Sequence, residues 1–131
     1  MNFKQSPGRK LVLCIDDDLQ GLLIRKAVLE SQGYAVLIAT NGPAGMVIVR
    51  EVLVDAVVVD YAMPEMDGAA VVVETRKIYS RVPIIMLSGH DVSEVPHHVL
   101  RQINKFVSKG SSPIEFLTAL QEVVSEAQRA A

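Results

Sequence analysis

The chain of 131 residues is half hydrophobic and 21% charged, which suits one folded domain with its own core and excludes global disorder. A formal net charge of −2 offers no electrostatic footprint for nucleic acid. The lone cysteine, Cys14, excludes an intrachain disulfide, and no stretch approaches the ~20 apolar residues of a membrane span.

The opening MNFKQSPGRK lacks the apolar segment of a secretory signal. Residues 1–9 are therefore expected to be a loosely ordered leader, residues 10–131 the domain, and the cytoplasm the location. LVLCI, residues 11–15, reads as a first buried strand with Cys14 as a small hydrophobe, and it runs into Asp16–Asp17. A helix is predicted over residues 20–32, with Leu22, Leu23, Ala27 and Leu29 on or near its core face and Gly33 as its stop. A second strand covers residues 35–39. Asn41–Gly42–Pro43 opens a second helix, with Asn capping and Pro tolerated in the first turn, that runs to about residue 53.

The third strand, residues 56–60, is rich in valine and ends in Asp60. The loop YAMPEMDG leads to a third helix over residues 69–79. A fourth strand, residues 83–87, starts at Pro83, where a missing N–H is tolerated, and runs into Ser88. The fourth helix is predicted over residues 93–103 with Pro96 in its first turn, and a short fifth strand, residues 105–108, runs into Lys109. Ser112–Pro113–Ile114–Glu115 is a capping-box sequence for a last helix. Its predicted core stripe is Ile114, Leu117, Leu120, Val124 and Ala127.

Five βα units in a row imply an α/β fold, a parallel sheet with helices on both faces and right-handed crossovers. No repeat or linker interrupts them, and the chain stops with the fifth helix, so a single domain without an output module is expected. Ligands of such sheets bind outside the carboxyl ends of the strands. Asp16, Asp17, Asp60, Ser88 and Lys109 are therefore predicted to meet at one edge. Two carboxylates about 4 Å apart repel by roughly 4 kcal/mol at an effective dielectric near 20. A cluster of three either protonates in part or recruits a cation, and an all-oxygen donor set open to water suits Mg²⁺. His97 and His98 are adjacent and face different sides of a helix, so they read as surface residues and not as zinc ligands.

Asp60 closes the most buried strand, and an ionised aspartate attacks phosphorus without a base. The product is an acyl phosphate, reactive enough for a reversible signal. Mg²⁺ and Lys109 would neutralise the incoming charge, and the Ser88 hydroxyl would donate to a phosphoryl oxygen.

At these residues the chain resembles the response-regulator receiver domain of two-component signalling, the CheY-like family, over residues 10–128. The acidic pair stands in IDDD, and VVVDYAMPEMDG matches the family's D-x-x-M-P-x-M-D-G through Asp60, Met63, Pro64, Met66, Asp67 and Gly68. The hydroxyl stands in LSG and the lysine in FVSKG. The resemblance implies a doubly wound, flavodoxin-like sheet of order 2-1-3-4-5. It implies Mg²⁺ bound by Asp17, Asp60 and the backbone carbonyl of Ala62, with Asp16 acting mainly through water. Ser88 and Lys109 would contact the phosphoryl group, and Phe106 would be the aromatic switch. The implied donor is a phosphohistidine on a sensor histidine kinase or histidine phosphotransfer protein. The implied downstream partner is a protein bound on the face of the fourth helix, fifth strand and fifth helix. Such a domain catalyses only its own phosphorylation and dephosphorylation.

Several positions depart from the family. Gly110 follows Lys109 where Pro is usual and the Lys–Pro bond typically cis; cis before a non-proline residue costs ~2.5–4 kcal/mol. Either the lysine is aimed differently or the loop holds a strained bond. Phe106 stands for Tyr, LRQINKF replaces the usual Ala-Gly-Ala before the fifth strand, and Pro96 with the His pair makes the fourth helix unusual. Ala62 and His90 occupy positions that in the family influence the lifetime of the phosphorylated state. The competing reading is a receiver-like module that binds proteins without phosphorylation. An aspartate-nucleophile phosphatase would need a second acid where Ala62 stands and a cap domain, and no Gly-rich phosphate loop is present.

Overall fold

Every residue of β1 (Leu11–Ile15), β3 (Ala56–Asp60) and β4 (Ile84–Ser88) is buried, as continuous apolar runs covered on both faces should be. The computed structural model describes residues 8–130. The first seven residues of the expected leader, and Ala131, lie outside the described residues. β2 (Ala35–Ala39) and β5 (Lys105–Ser108) form the edges of a five-stranded sheet of order β2-β1-β3-β4-β5, parallel throughout. The strand order reverses direction between β1 and β3, which makes the carboxyl ends of those two strands the switch point.

Side chains alternate between two cores. Leu13, Ile15, Val57, Val59 and Met86 pack beneath α2 (Gly42–Glu51) and α3 (Gly68–Ile78). Val12, Cys14, Val58, Ile85 and Val107 pack beneath α1 (Leu19–Ser31) and α5 (Pro113–Ala130). Burial pushes the Cys14 thiol up to about 12, so it is a packing residue. The predicted cap holds at α2, where Asn41 Oδ1 accepts the Ala44 N–H at 2.7 Å. Gly33 ends α1 with φ +92, a conformation that favours glycine.

Three expectations are corrected. In α1, Leu22 and Leu29 are buried, but Leu23 is 49% exposed and Ala27 is also exposed. In α5 the face on the sheet is Phe116, Ala119, Leu120, Val123 and Val124, while Ile114 is 75% exposed and Leu117 and Ala127 are half-buried. Both stripes obey helical spacing and share Leu120 and Val124; the one that carries the aromatic ring is buried. The fourth helix is not continuous over residues 93–103. A 3-10 turn at Val92–Glu94 is followed by a four-residue α4, His97–Leu100. Pro96 supplies no N–H and holds Val95 extended (φ −89, ψ 129), so the turn cannot propagate into the helix.

Arg76 of α3 ties the opposite end of the sheet together. Its Nε donates to the Gln102 carbonyl at 2.8 Å, its Nη1 to the Val82 carbonyl at 2.6 Å, and its Nη2 to Asn104 Oδ1 at 3.1 Å. The same Asn104 Oδ1 accepts the Ile84 N–H at 2.9 Å at the start of β4. Arg76→Met strips a donor from the backbone carbonyls of Gln102, Tyr79 and Val82 and from Asn104 Oδ1, and is expected to cost about 2–4 kcal/mol in urea unfolding. Lys77→Met, one residue on and exposed, is expected to stay within about 0.5 kcal/mol.

Candidate functional site

Asp16 follows β1 directly and Asp60 ends β3, so the two lie side by side at the switch point. They are 1% and 5% exposed. The loop after β3 is held close: the Tyr61 N–H donates to Leu87 O at 3.1 Å and the Gly68 N–H to Tyr61 O at 2.8 Å. A Cβ on Gly68 would collide with the backbone carbonyl of Asp60, so only glycine lets α3 begin against the end of β3. Glu65 takes up the bend with φ 65 while the Met66 N–H donates to Pro64 O at 2.7 Å. Asp67 Oδ1 then caps α3 by accepting the Ala70 N–H at 2.9 Å.

Asp16, Asp17 and Asp60 each offer a carboxylate oxygen, and these oxygens all lie within 4.8 Å of one another. Asp17 is exposed, so the cluster opens to water. Lys109 bridges the two buried acids, its Nζ 2.9 Å from Asp16 Oδ2 and 3.1 Å from Asp60 Oδ2. The backbone N–H of Lys109 donates to Ser88 O at 2.9 Å, which fixes the base of the side chain. The Lys109–Gly110 bond is trans, since no cis peptide occurs among the described residues. The lysine reaches both acids across a trans bond, so the alternative of a strained cis bond falls away.

The two buried acids are held in opposite directions. Burial raises the Asp16 carboxyl, but the Asp18 N–H bonded to Oδ1 at 3.0 Å, the Lys109 ammonium and the Arg25 guanidinium together hold it below the usual range. Asp60 is raised by burial and by the Asp16 charge, against the pull of Lys109, with Asp17 adding to the rise. Lys109 loses some basicity to burial, yet its contacts with Asp16 and Asp60 carry it above its usual value. A metal ion suits this arrangement. All donors are oxygens, and Asp16 Oδ2 is fully buried with ion-pair neighbours but no aligned hydrogen bond, so a hard divalent cation finds a free lone pair there.

Ser88 is fully buried, and its Oγ accepts the His90 N–H at 2.9 Å, which leaves the hydroxyl proton to donate elsewhere. Ala62 is exposed and lines a cavity of about 460 Å³ together with Tyr61, Met63, Pro64, Asp67 and His90. One wall of that cavity is a small network. The Tyr61 ring meets His90 edge-on at 6.2 Å, the Tyr61 hydroxyl donates to Glu94 O at 3.2 Å, and His90 Nδ1 lies 3.2 Å from Glu94 Oε2. Phe106 is half-buried, opposite Met86 in the β4–β5 register, and packs on the α2/α3 core. Of the residues expected to converge, Asp16, Asp17 and Asp60 gather their carboxylates within 4.8 Å of one another, and Lys109 contacts Asp16 and Asp60. Ser88 stands at the end of the strand next to Asp60, and Phe106 lies two residues up β5 from Ser108, the register partner of Ser88.

Arg25 escaped the sequence reading. Its Nη1 lies 3.6 Å from Asp16 Oδ2, with its side chain 15% exposed. The signal was present: Arg25 falls three residues after Leu22 and four before Leu29, on the buried stripe of α1, where a charge needs a buried partner.

Residues 12–121 match the model of the response regulator receiver domain family. The transcriptional regulatory protein ZraR of Escherichia coli K12 is 31% identical over 90 residues, which are 69% of this chain and 20% of ZraR. The chain thus matches about a fifth of the length of such curated relatives. A CheY-like receiver domain protein of Methanospirillum hungatei JF-1 superposes with a TM-score of 0.90 at 24% identity, covering 95% of this chain and 100% of that one. The response regulator TrrA of Thermotoga maritima, solved in complex with Mg²⁺–BeF, superposes with a TM-score of 0.82 at 24% identity over 87% of this chain and 98% of that one. Those two likenesses concern the fold.

Proposed function

Since the chain belongs to the response regulator receiver domain family, we propose that it accepts a phosphoryl group on Asp60 in a Mg²⁺-dependent reaction and thereby switches its binding to a protein partner. The observation that carries this is the bridged acid cluster: a buried, ionisable Asp60 with Lys109 at 3.1 Å and two further carboxylates within 4.8 Å. An oxygen of Asp60 attacks phosphorus, and the P–N bond of a phosphohistidine breaks. The imidazole leaves with the electron pair and takes up a proton. The phosphohistidine belongs to a sensor histidine kinase or a histidine phosphotransfer protein.

Asp16, Asp17, Asp60 and the carbonyl of Ala62 would hold the ion, whose charge offsets that of the phosphoryl oxygens. Lys109 supplies a further positive charge, and Ser88 donates its hydroxyl proton to a phosphoryl oxygen. Phe106 would then repack as Ser88 moves, biasing two arrangements of the face formed by α4, β5 and α5. That face is where a downstream protein would dock. The reading places this action in the cytoplasm, on protein partners and not on nucleic acid; among the described residues no helix is long and apolar enough to cross a membrane.

Acetyl phosphate with Mg²⁺, followed by intact mass, tests the proposal. One base-labile phosphoryl adduct is expected, lost when the metal is chelated. An unchanged mass with and without metal would favour the phosphorylation-independent binding module.

A further inference from the structure

Asp16 Oδ2 faces two cations. Lys109 Nζ is 2.9 Å away and Arg25 Nη1 3.6 Å away, and the oxygen itself is buried. Lys109 is also shared with Asp60 at 3.1 Å. A phosphoryl group on Asp60 would draw the ammonium toward its oxygens, and Asp16 would lose its nearest counter-charge. A buried carboxylate that loses a cationic neighbour is disfavoured unless other positive charge takes over, and beside the metal ion Arg25 is the side chain placed to do so. Arg25 comes from α1, a different element from Lys109, and its ion pair is with Asp16. It borders a groove of about 280 Å³ between α1 and the β5–α5 loop, into which Lys109 and Asp16 also open. That groove gives the guanidinium room to close the remaining gap to Asp16 once Lys109 withdraws.

We propose that Arg25 is a positioning residue: it keeps Asp16 neutralised and so releases Lys109 to the phosphoryl group. The proposal rests on the phosphoacceptor reading of Asp60. It has an unusual signature, because the same charge acts with opposite sign on the two ligands of the site. Beside the acid cluster, the guanidinium repels a divalent cation. By freeing Lys109, it favours the anionic group. A side chain that merely holds α1 in place would affect both ligands in the same direction.

Titration calorimetry of the whole chain with Mg²⁺ alone, and with beryllofluoride at saturating Mg²⁺, separates these cases. For Arg25→Gln, and independently Arg25→Met, the account expects Mg²⁺ to bind about threefold to tenfold more tightly. Beryllofluoride is expected to bind about tenfold more weakly. Arg25→Lys, which keeps the charge, is expected to stay within about twofold of the wild type for both ligands. Wild type that binds no beryllofluoride would overturn the phosphoacceptor reading, and this inference with it. Wild type that binds it, with Gln and Met variants unchanged or weakened for both ligands together, would overturn the role of Arg25 alone. So would a Lys variant that behaves like the Gln variant.

Discussion

Asp60→Asn is expected to form no phosphoryl adduct and, at neutral pH, to be more stable than the wild type. The first effect follows from chemistry: a carboxamide oxygen does not displace the leaving group from phosphorus. The second follows from the site. Burial, and then the Asp16 charge, raise the Asp60 carboxyl above its ordinary value near 3.8. A group with a raised folded pKa contributes most below the unfolded value and loses that contribution as the pH rises through the folded one. At pH 7 the ionised Asp60 is therefore a net cost, and removing it is expected to add about 1–2 kcal/mol. The gain should disappear near pH 4, where both states hold the proton more fully. Asp16 runs the other way. Its carboxyl is held low, so its contribution is present above its unfolded value and is lost as the pH falls through the folded one. Asp16→Asn is expected to lose about 1–2 kcal/mol at pH 7. Urea unfolding of both variants at the two pH values reads the opposite signs directly.

Lys109→Met is expected to be the most destabilising change in the site, by about 2–3 kcal/mol at pH 7 without metal. It leaves Asp16 and Asp60 facing each other with Arg25 as the sole cation on Asp16 among the described residues. Breaking a buried ion pair costs about 3–5 kcal/mol, and the 32% exposure of the lysine side chain reduces that through solvent screening. Lys109 has a raised folded pKa, so its contribution is complete below its ordinary value of 10.5 and fades as the pH climbs through the folded one. At the acid end the contribution fades as its partners protonate. Saturating Mg²⁺ should restore more stability to Lys109→Met than to the wild type, because the ion replaces the missing charge. Equal stabilisation of the two proteins by Mg²⁺ would show that the metal does not bind the acids that Lys109 bridges. Adduct formation from acetyl phosphate should also slow by at least about tenfold.

The sheet and most of the site were legible because both depend on short-range patterns. Runs such as LVLCI and AVVV are short, rich in branched residues and without a polar face, as doubly covered strands are, and parallel strands put their ends at one edge. Asp16, Asp17, Asp60 and Lys109 follow from that edge alone. What escaped notice depends on how one helix face meets the sheet. The stripe containing Ile114 and the stripe containing Phe116 overlap at Leu120 and Val124 and both obey helical spacing, and the sheet selects between them. Pro96 was compatible with a helical first turn, but its effect on Val95 ends the preceding turn instead. Arg25 and Arg76 reach partners 9 and 26 residues away in sequence, and nothing in their neighbours specifies which ones. Arg25 could still have been suspected, as a charge on an otherwise apolar stripe. Arg76, near the C-terminal end of α3, reads like any basic residue placed there to suit the helix dipole.

The most direct measurement is the position of the phosphoryl group. The protein treated with acetyl phosphate and Mg²⁺ is reduced with borohydride, which converts an aspartyl phosphate to homoserine, and then mapped by tandem mass spectrometry. The account predicts homoserine at position 60 and intact aspartate at positions 16 and 17. Homoserine at another position, or a phosphoryl adduct that survives at full yield in Asp60→Asn, would contradict it.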